Sequence, residues 1–470
     1  MPMEKGNPWM IASVTSLGAF LSTLNSTTLN VALPTLMQEL HVPVTDVGWV
    51  IMSYMLAMSL CVIHAGKLSD LFGRKRVYVT GVAILVVASL LAGFVQSIIG
   101  IIVLRALQGI GASAMAANTT AIVVDAFPAN RRGTGLGFNS MSYSVGAVFG
   151  PMVGGMLLHL GWQWIFWFNV PVGILLVVWA SKTLPSDRRK KILLPFDILG
   201  TVWLLVFLVS MLGVITYGMD GAWPLELICL LLAFSILGLF MFIQAEKKAH
   251  DPIIQLANFA NRIYAIANAS TFLNALARMS VSFVLIFYLQ GARGFSAFDA
   301  GLMVIPMAAT MTLVGPLSGR LSDRVGSRMP TTVGLLLSTL GLLALGGLSA
   351  DTSIWYMTSC LVVIGAGSAL FQSPNALSIM SAVPFEQRGV AGGTRMMLNN
   401  LGTLLSMSIA AGLLSRVIPQ GQTKEHLIPH DQMLPFLSAI HLVFVGGALI
   451  SLIAMGLSWL REPVREKLNL

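Results

Sequence analysis

The chain has 470 residues, of which 56% are hydrophobic and only 10% charged, with 28 lysines and arginines against 19 acids and a net charge of +9. A soluble globular domain carries about 25% charged residues, so this composition, with its long apolar runs, reads as an all-α polytopic membrane protein. It excludes a soluble enzyme, and the positive charge does not call for nucleic acid, because lysine and arginine collect in cytoplasmic loops.

Windows of about 20 residues predict fourteen helices. Six come early, at 9–33, 45–66, 77–96, 99–124, 135–158 and 164–183. Two follow at 198–217 and 225–245, then six more at 264–290, 298–319, 330–349, 354–378, 392–415 and 436–460. With the N-terminus inside, 23 of the 28 cations fall in inner segments, while Arg293, Arg416 and Lys424 fall outside and Arg105 and Arg278 lie within spans. That asymmetry predicts a multi-pass protein of the cell (inner or plasma) membrane with both termini cytoplasmic. No small-residue cleavage site closes the first segment, which is expected to be an uncleaved span. Cys61, Cys229 and Cys360 stand at unrelated spacings in apolar stretches and read as packed thiols rather than a disulfide or metal set.

The early spans end on a repeat. "GKLSDLFGRKR" (66–76), shifted by 253 residues, matches "GRLSDRVGSRM" (319–329) at Gly66, Leu68, Ser69, Asp70 and Gly73; "FPANRRG" (127–133), shifted by 256, matches "VPFEQRG" (383–389). Two loops with nearly one offset divide the chain into six-helix halves of the same orientation. The expected domains are 1–183, a segment of basic linker, inserted helix pair and inner loop at 184–263, and 264–470. A plain basic loop explains the charges in 66–76 but not the repeated Gly, Asp, Gly spacing, so a gate is expected there. Gly66 and Gly73 are expected to permit the tight turn, and Asp70 to cap the next helix or pair with a cation.

Further along, Gly146, Gly150 and Gly154 recur every four residues and predict a flat helix face that another helix can approach closely, with Pro151 bending the helix. Arg105 and Arg278 are the deepest charges. A guanidinium at mid-span costs about 2.5–3.5 kcal/mol on insertion scales and usually faces a functional cavity. Asn25 is placed in the outer half of the first span as a neighbour of Arg105. None of the 19 acids falls deep in a span, which favours neutral or anionic substrates over cations. His64, near the inner end of the second span, is either a titratable group or a structural histidine. "HLIPH" (426–430) has metal-like spacing, but Pro429 breaks the helix such a pair needs. No GxxxxGK[ST] is present, so no ATP-binding loop of that kind is expected.

These stretches together resemble a known family. "GKLSDLFGRKR" and "GRLSDRVGSR" are similar to the duplicated loop signature of the major facilitator superfamily, and "LRALQGIGASA" (104–114) resembles its span-four signature. "GAVFGPMVGG" (146–155), "LNSTTLNVALP" (24–34), "GWQWIFWFNVPVG" (161–173) and "FYLQGARGFSAFDAGLMVIP" (287–306) resemble the EmrB/QacA-type drug:proton antiporters with fourteen spans. The resemblance covers essentially the whole chain. It implies the major facilitator fold, two six-helix halves around a cavity plus two central helices, and proton-coupled export of hydrophobic small molecules by alternating access, with no cofactor beyond the proton gradient. It implies a gate and charge relay of Asp70, Arg74, Lys75 and Asp125, mirrored by Asp323 and Arg324. It also implies an exporter element of Gly146, Gly150, Pro151, Gly154 and Gly155. Asn25, Arg105, Gln108, Arg278 and Gln290 are the candidate cavity residues for substrate or coupling. The chain departs from the family at Asn25, where an aspartate is usual, and at Gln163, where an arginine is usual. The expected partners are the lipid bilayer and a small hydrophobic substrate; no accessory export protein can be named. The alternatives are an exporter of one endogenous metabolite and, from another class, a membrane enzyme or receptor, for which no catalytic pair or large soluble domain is present.

Overall fold

A computed structural model describes residues 7–128, 131–185, 197–221, 223–248, 256–278, 280–384, 387–418, 428 and 432–461; a few helical side chains within these, including those of Asp70 and Asp323, are not described. Among the described residues the regular structure is helical throughout, with fourteen long helices. The first six are α1 (Pro8–Leu40), α2 (Val44–Phe72), α3 (Arg74–Ala92), α4 (Ile98–Ala126), α5 (Arg132–Leu158) and α6 (Trp164–Thr183). Next come α7 (Ile198–Asp220) and α8 (Leu225–Lys248). The last six are α9 (Arg262–Ala292), α10 (Ala297–Val325), α11 (Arg328–Leu345), α12 (Ile354–Ser381), α13 (Arg388–Ser415) and α14 (Met433–Trp459). The HLIPH stretch, apart from Ile428, and the SDRRKK linker lie outside the described residues.

Thirteen of these helices are long and apolar enough to cross a membrane. The exception is α1, whose 33 residues suffice in length but whose middle reads Ser22, Thr23, Asn25, Ser26, Thr27 and Thr28. Those hydroxyls turn back onto their own helix: Thr15 donates to the Ala12 carbonyl, Thr23 to Ala19 and Thr28 to Leu24, at 2.9–3.0 Å. A polar span can be buried in this way because most of its hydroxyls find an acceptor, Ser16 being the buried exception. At the other extreme, α8 is apolar all round and exposes Leu230, Phe234, Leu237 and Phe240, the kind of outer face a membrane protein turns to hydrocarbon. Gly238 brings it against the backbone of Phe207 on α7. Cys360 is buried and Cys61 half-buried, but Cys229 lies exposed on α8, so it is not a packed thiol.

Close helix crossings recur at the repeat offset. A methyl group at Gly81 would sit 2.7 Å from the Gly111 carbonyl, joining α3 to α4; one at Gly334 would sit 2.5 Å from the Gly367 carbonyl, joining α11 to α12. Likewise Gly146 of α5 faces the Phe20 carbonyl of α1, and Gly402 of α13 faces the Phe272 carbonyl of α9. Contacts divide the chain into two compact units. One contains the described residues up to 205 with 289–305; the other contains 206–288, 306–418 and the described residues from 428 onward.

The turns differ from expectation in one respect. Helix α2 runs on through Phe72, so most of the 66–76 signature is helical and Gly66 is an ordinary helix residue with open space around it. The turn rests on Gly73 alone, at φ 94°, and its counterpart Gly326 is at φ 76°. Both lie in the left-handed region that favours glycine. Asp70 is therefore a residue of α2 and cannot cap α3, whose N-cap is Gly73.

Candidate functional site

Three groups of predicted residues can be followed in the first unit. At the end of α4, Asp125 is paired with Arg74, the first residue of α3, and the same guanidinium donates to the Ala121 carbonyl at 3.1 Å. The turn at Gly73 places Arg74 there. Lys75 takes no part in the pair. The expected mirror rests on Asp323, whose side chain is not among those described. Arg74 shifted by 253 falls on Ser327, and Asp125 shifted by 256 falls on Ser381. Ser327 instead receives a hydrogen bond from Ser378, one turn before Ser381, at 2.7 Å. Arg324 is exposed beside it. Among the described side chains, these ends of α11 and α12 are therefore joined by a pair of hydroxyls.

The second group is a buried polar network deep in the unit. Arg105 of α4 is fully buried; its Nε donates to the Val50 carbonyl at 3.1 Å, Nη1 donates to Gln108 Oε1 at 2.7 Å, and the guanidinium stacks 4.3 Å from the Tyr54 ring. Gln108 in turn donates to Ser89 Oγ at 2.8 Å and receives the Asn25 amide at 3.5 Å. Asn169 donates to Asn25 Oδ1 at 3.1 Å, and Tyr54 and Ser22 share a hydrogen bond at 3.1 Å. Asn25 thus reaches Arg105 through Gln108 rather than directly. Two charge-assisted bonds at about 1.5–3 kcal/mol each are of the size needed to offset the roughly 2.5–3.5 kcal/mol of placing a guanidinium at mid-span. Sequence reasoning missed Ser22, Tyr54, Ser89 and Asn169. The available signal was a single polar residue inside an apolar helix, which Asn169 gives most clearly.

The third group is the glycine face of α5. Added methyls at Gly146, Gly150 and Gly154 would meet Thr23, Thr27 and Thr28 of α1 respectively, while Gly155 faces the Phe298 backbone and Gly301 the Pro151 carbonyl of the α10 contact. One helix therefore uses two sides of small residues to approach two neighbours closely. Gln290 donates to the Val31 carbonyl at 2.9 Å, where it ties the π-turn at the end of α9 to α1. His64 lies 3.0 Å from Thr201 Oγ1 and 3.1 Å from the Leu60 carbonyl, so it joins α2 to α7.

In the second unit Arg278 is 5% exposed and has none of the support Arg105 enjoys. Its Nη1 touches Met311 Sδ at 3.9 Å, and its Nε is buried without a partner. Nearby, Asn375 donates to Thr271 Oγ1 at 2.8 Å and the Ser280 amide to Ser406 Oγ at 3.0 Å. No acidic side chain lies in the middle of a helix among the described residues; Asp46 and Asp299 are in first turns and Asp125 in a last turn. Among those residues no group of three or more metal-binding side chains occurs.

A duplicated, all-helical, multi-pass membrane protein with buried polar groups between its spans is a carrier rather than an enzyme. The chain belongs to the Major Facilitator Superfamily, whose model matches residues 15–259 and 267–470. It is 30% identical over 450 residues to the riboflavin transporter RibZ of Clostridioides difficile, covering 93% of this chain and 96% of that one. It is 29% identical to the multidrug transporter MdtP of Bacillus subtilis (90% and 77%) and 29% identical to the tetracenomycin C resistance and export protein of Streptomyces glaucescens (87% and 77%). A bacterial homologue of the human lysosomal transporter Spinster superposes with a TM-score of 0.72 at 15% identity over 97% of each chain. The human organic anion transporter MFSD10 does so with 0.63 at 18% identity, over 97% and 100%. These two likenesses show the fold alone.

Proposed function

We propose that this carrier exports hydrophobic small molecules from the cytoplasm by proton-driven antiport and alternating access. It sits in the cell membrane with both termini inside and uses the proton gradient in place of a bound cofactor. The observation that carries export is the glycine face of α5 packed against α1 and the start of α10, in a chain whose relatives include a multidrug transporter and an antibiotic export protein. Arg74 and Asp125 act as the inner latch of the first half. The arginines and the lack of a deep acid favour neutral or anionic substrates, since a fixed cation repels another cation strongly where screening is poor.

A second reading, export of one endogenous metabolite, is favoured by the near-complete coverage of the riboflavin transporter. Purified protein in liposomes tests the coupling. With an imposed pH gradient, a lipophilic probe should accumulate against its gradient and collapse with a protonophore. Equal accumulation without the gradient contradicts proton drive. Competition by riboflavin alone, with no effect of unrelated lipophilic compounds, selects the second reading.

A further inference from the structure

Arg278 stands 16 residues into the 31 of α9. At about 1.5 Å per residue that is roughly 24 Å from the inner end and 21 Å from the outer, close to the middle of the membrane. Substrate sites of duplicated carriers lie near this depth. Its surroundings do not complete it. The side chain is 5% exposed, its Nε is buried with no acceptor, and the contact to its Nη1 is a thioether 3.9 Å away. Among the described residues no carboxylate pairs with it. One turn earlier on the same face, Asn274 is 2% exposed and its Oδ1 also has no partner. An amide can be turned to present either its oxygen or its NH2, because the two ends are assigned from their surroundings. A guanidinium whose described contacts include no oxygen acceptor, beside an amide with one end unpartnered, forms a donor set shaped for a planar carboxylate. Met311 beside them offers a soft apolar contact suited to an aromatic or aliphatic body.

We propose that Arg278, with Asn274, is a carboxylate-binding subsite of the transport pathway, so that lipophilic monocarboxylates are substrates. The proposal rests on the transport reading above and narrows its substrate class. Arg105 provides the internal contrast, because its bonds to Val50 and Gln108 and its stacking on Tyr54 leave only Nη2 without a partner.

The test is binding, read without any gradient, so it stands apart from proton coupling. Naphthalene-2-acetate and its methyl ester are titrated into purified protein, and melting is followed by tryptophan fluorescence. The acid should bind about tenfold more tightly than the ester, a difference of one decade in Kd. Arg278→Gln should bring the two within about twofold, and Arg278→Lys should keep part of the preference, as a point charge lacks the fork. Met311→Glu supplies an internal carboxylate; it should raise the melting temperature without ligand and abolish the preference, which covers the case of a poorly folding Arg278→Gln. Equal binding of both probes by the unaltered protein, binding of neither, or a preference surviving Arg278→Gln or Met311→Glu overturns the subsite. If the preference holds but no pH-driven transport is found, the coupling reading fails and the subsite stands.

Discussion

The two halves of this carrier repeat their helix crossings but not their polar chemistry. Gly81 on Gly111 and Gly334 on Gly367 are the same contact made twice, as are Gly146 on Phe20 and Gly402 on Phe272. Around this shared frame the first half joins the facing ends of α3 and α4 with the Arg74–Asp125 ion pair, while at the repeat positions of the second Ser378 donates to Ser327. Deeper in, Arg105 is enclosed by the first half's own acceptors and Arg278 is left almost unpaired in the second. Backbone proximity at small residues is what a duplicated fold must keep. Charge is free to diverge, and here the first half gives its buried cation two oxygen acceptors and an aromatic ring, whereas the second gives its own only a thioether.

The largest effect should come from breaking the better-supported arginine. Arg105→Leu leaves Gln108 and the Val50 carbonyl without their cation and is expected to cost about 2 kcal/mol or more, whereas Arg278→Leu should be neutral or stabilising, because it removes a buried guanidinium with few bonds. Thermal melting of the two variants checks this, and equal losses would erase the distinction. Gly150→Leu comes next. Any side chain there runs into Thr27 of α1, so transport should be abolished while the protein still reaches the membrane, as assayed by uptake and surface labelling. Full activity would make the α5 face ordinary packing.

A smaller effect distinguishes the two inner ties. Asp125 is 47% exposed and Arg74 16%, and exposed ion pairs contribute about 0–1 kcal/mol, so Asp125→Asn should scarcely alter melting. It should, however, raise the reactivity of an inner-end cysteine to a thiol reagent applied from the cytoplasmic side. Ser378→Ala should change that reactivity less. If the two variants behave alike, charge is not what holds the first half closed.

Much of this was legible in the sequence. Thirteen of the fourteen predicted windows correspond to helices that length and hydropathy alone mark as spans, the polar α1 being the other, and the spacing of Gly146, Gly150 and Gly154 corresponds to their shared face. The turn was misplaced because Gly66 and Gly73 look alike in a string; only backbone geometry shows that Gly73 turns and Gly66 continues a helix. Asp323 and Arg324 were expected to mirror the latch because the motif repeats; the partner of a latch lies on another helix, where the position of Asp125 is Ser381 in the second half. The network around Arg105 was half visible. Its charged member stands out at mid-span, whereas Tyr54, Ser89 and Asn169 are brought to it only by helix packing.

Under the proposed function, deep arginines without a deep carboxylate set the charge of what is carried. It is tested most directly by competitive efflux of a permanent lipophilic cation and a lipophilic weak acid from cells producing the wild type or Asn25→Asp. The wild type should prefer the acid. The substitution places a carboxylate within reach of Gln108 and the unpaired Nη2 of Arg105 and should shift preference toward the cation. Strong export of the cation by the wild type, unchanged by Asn25→Asp, would contradict the claim.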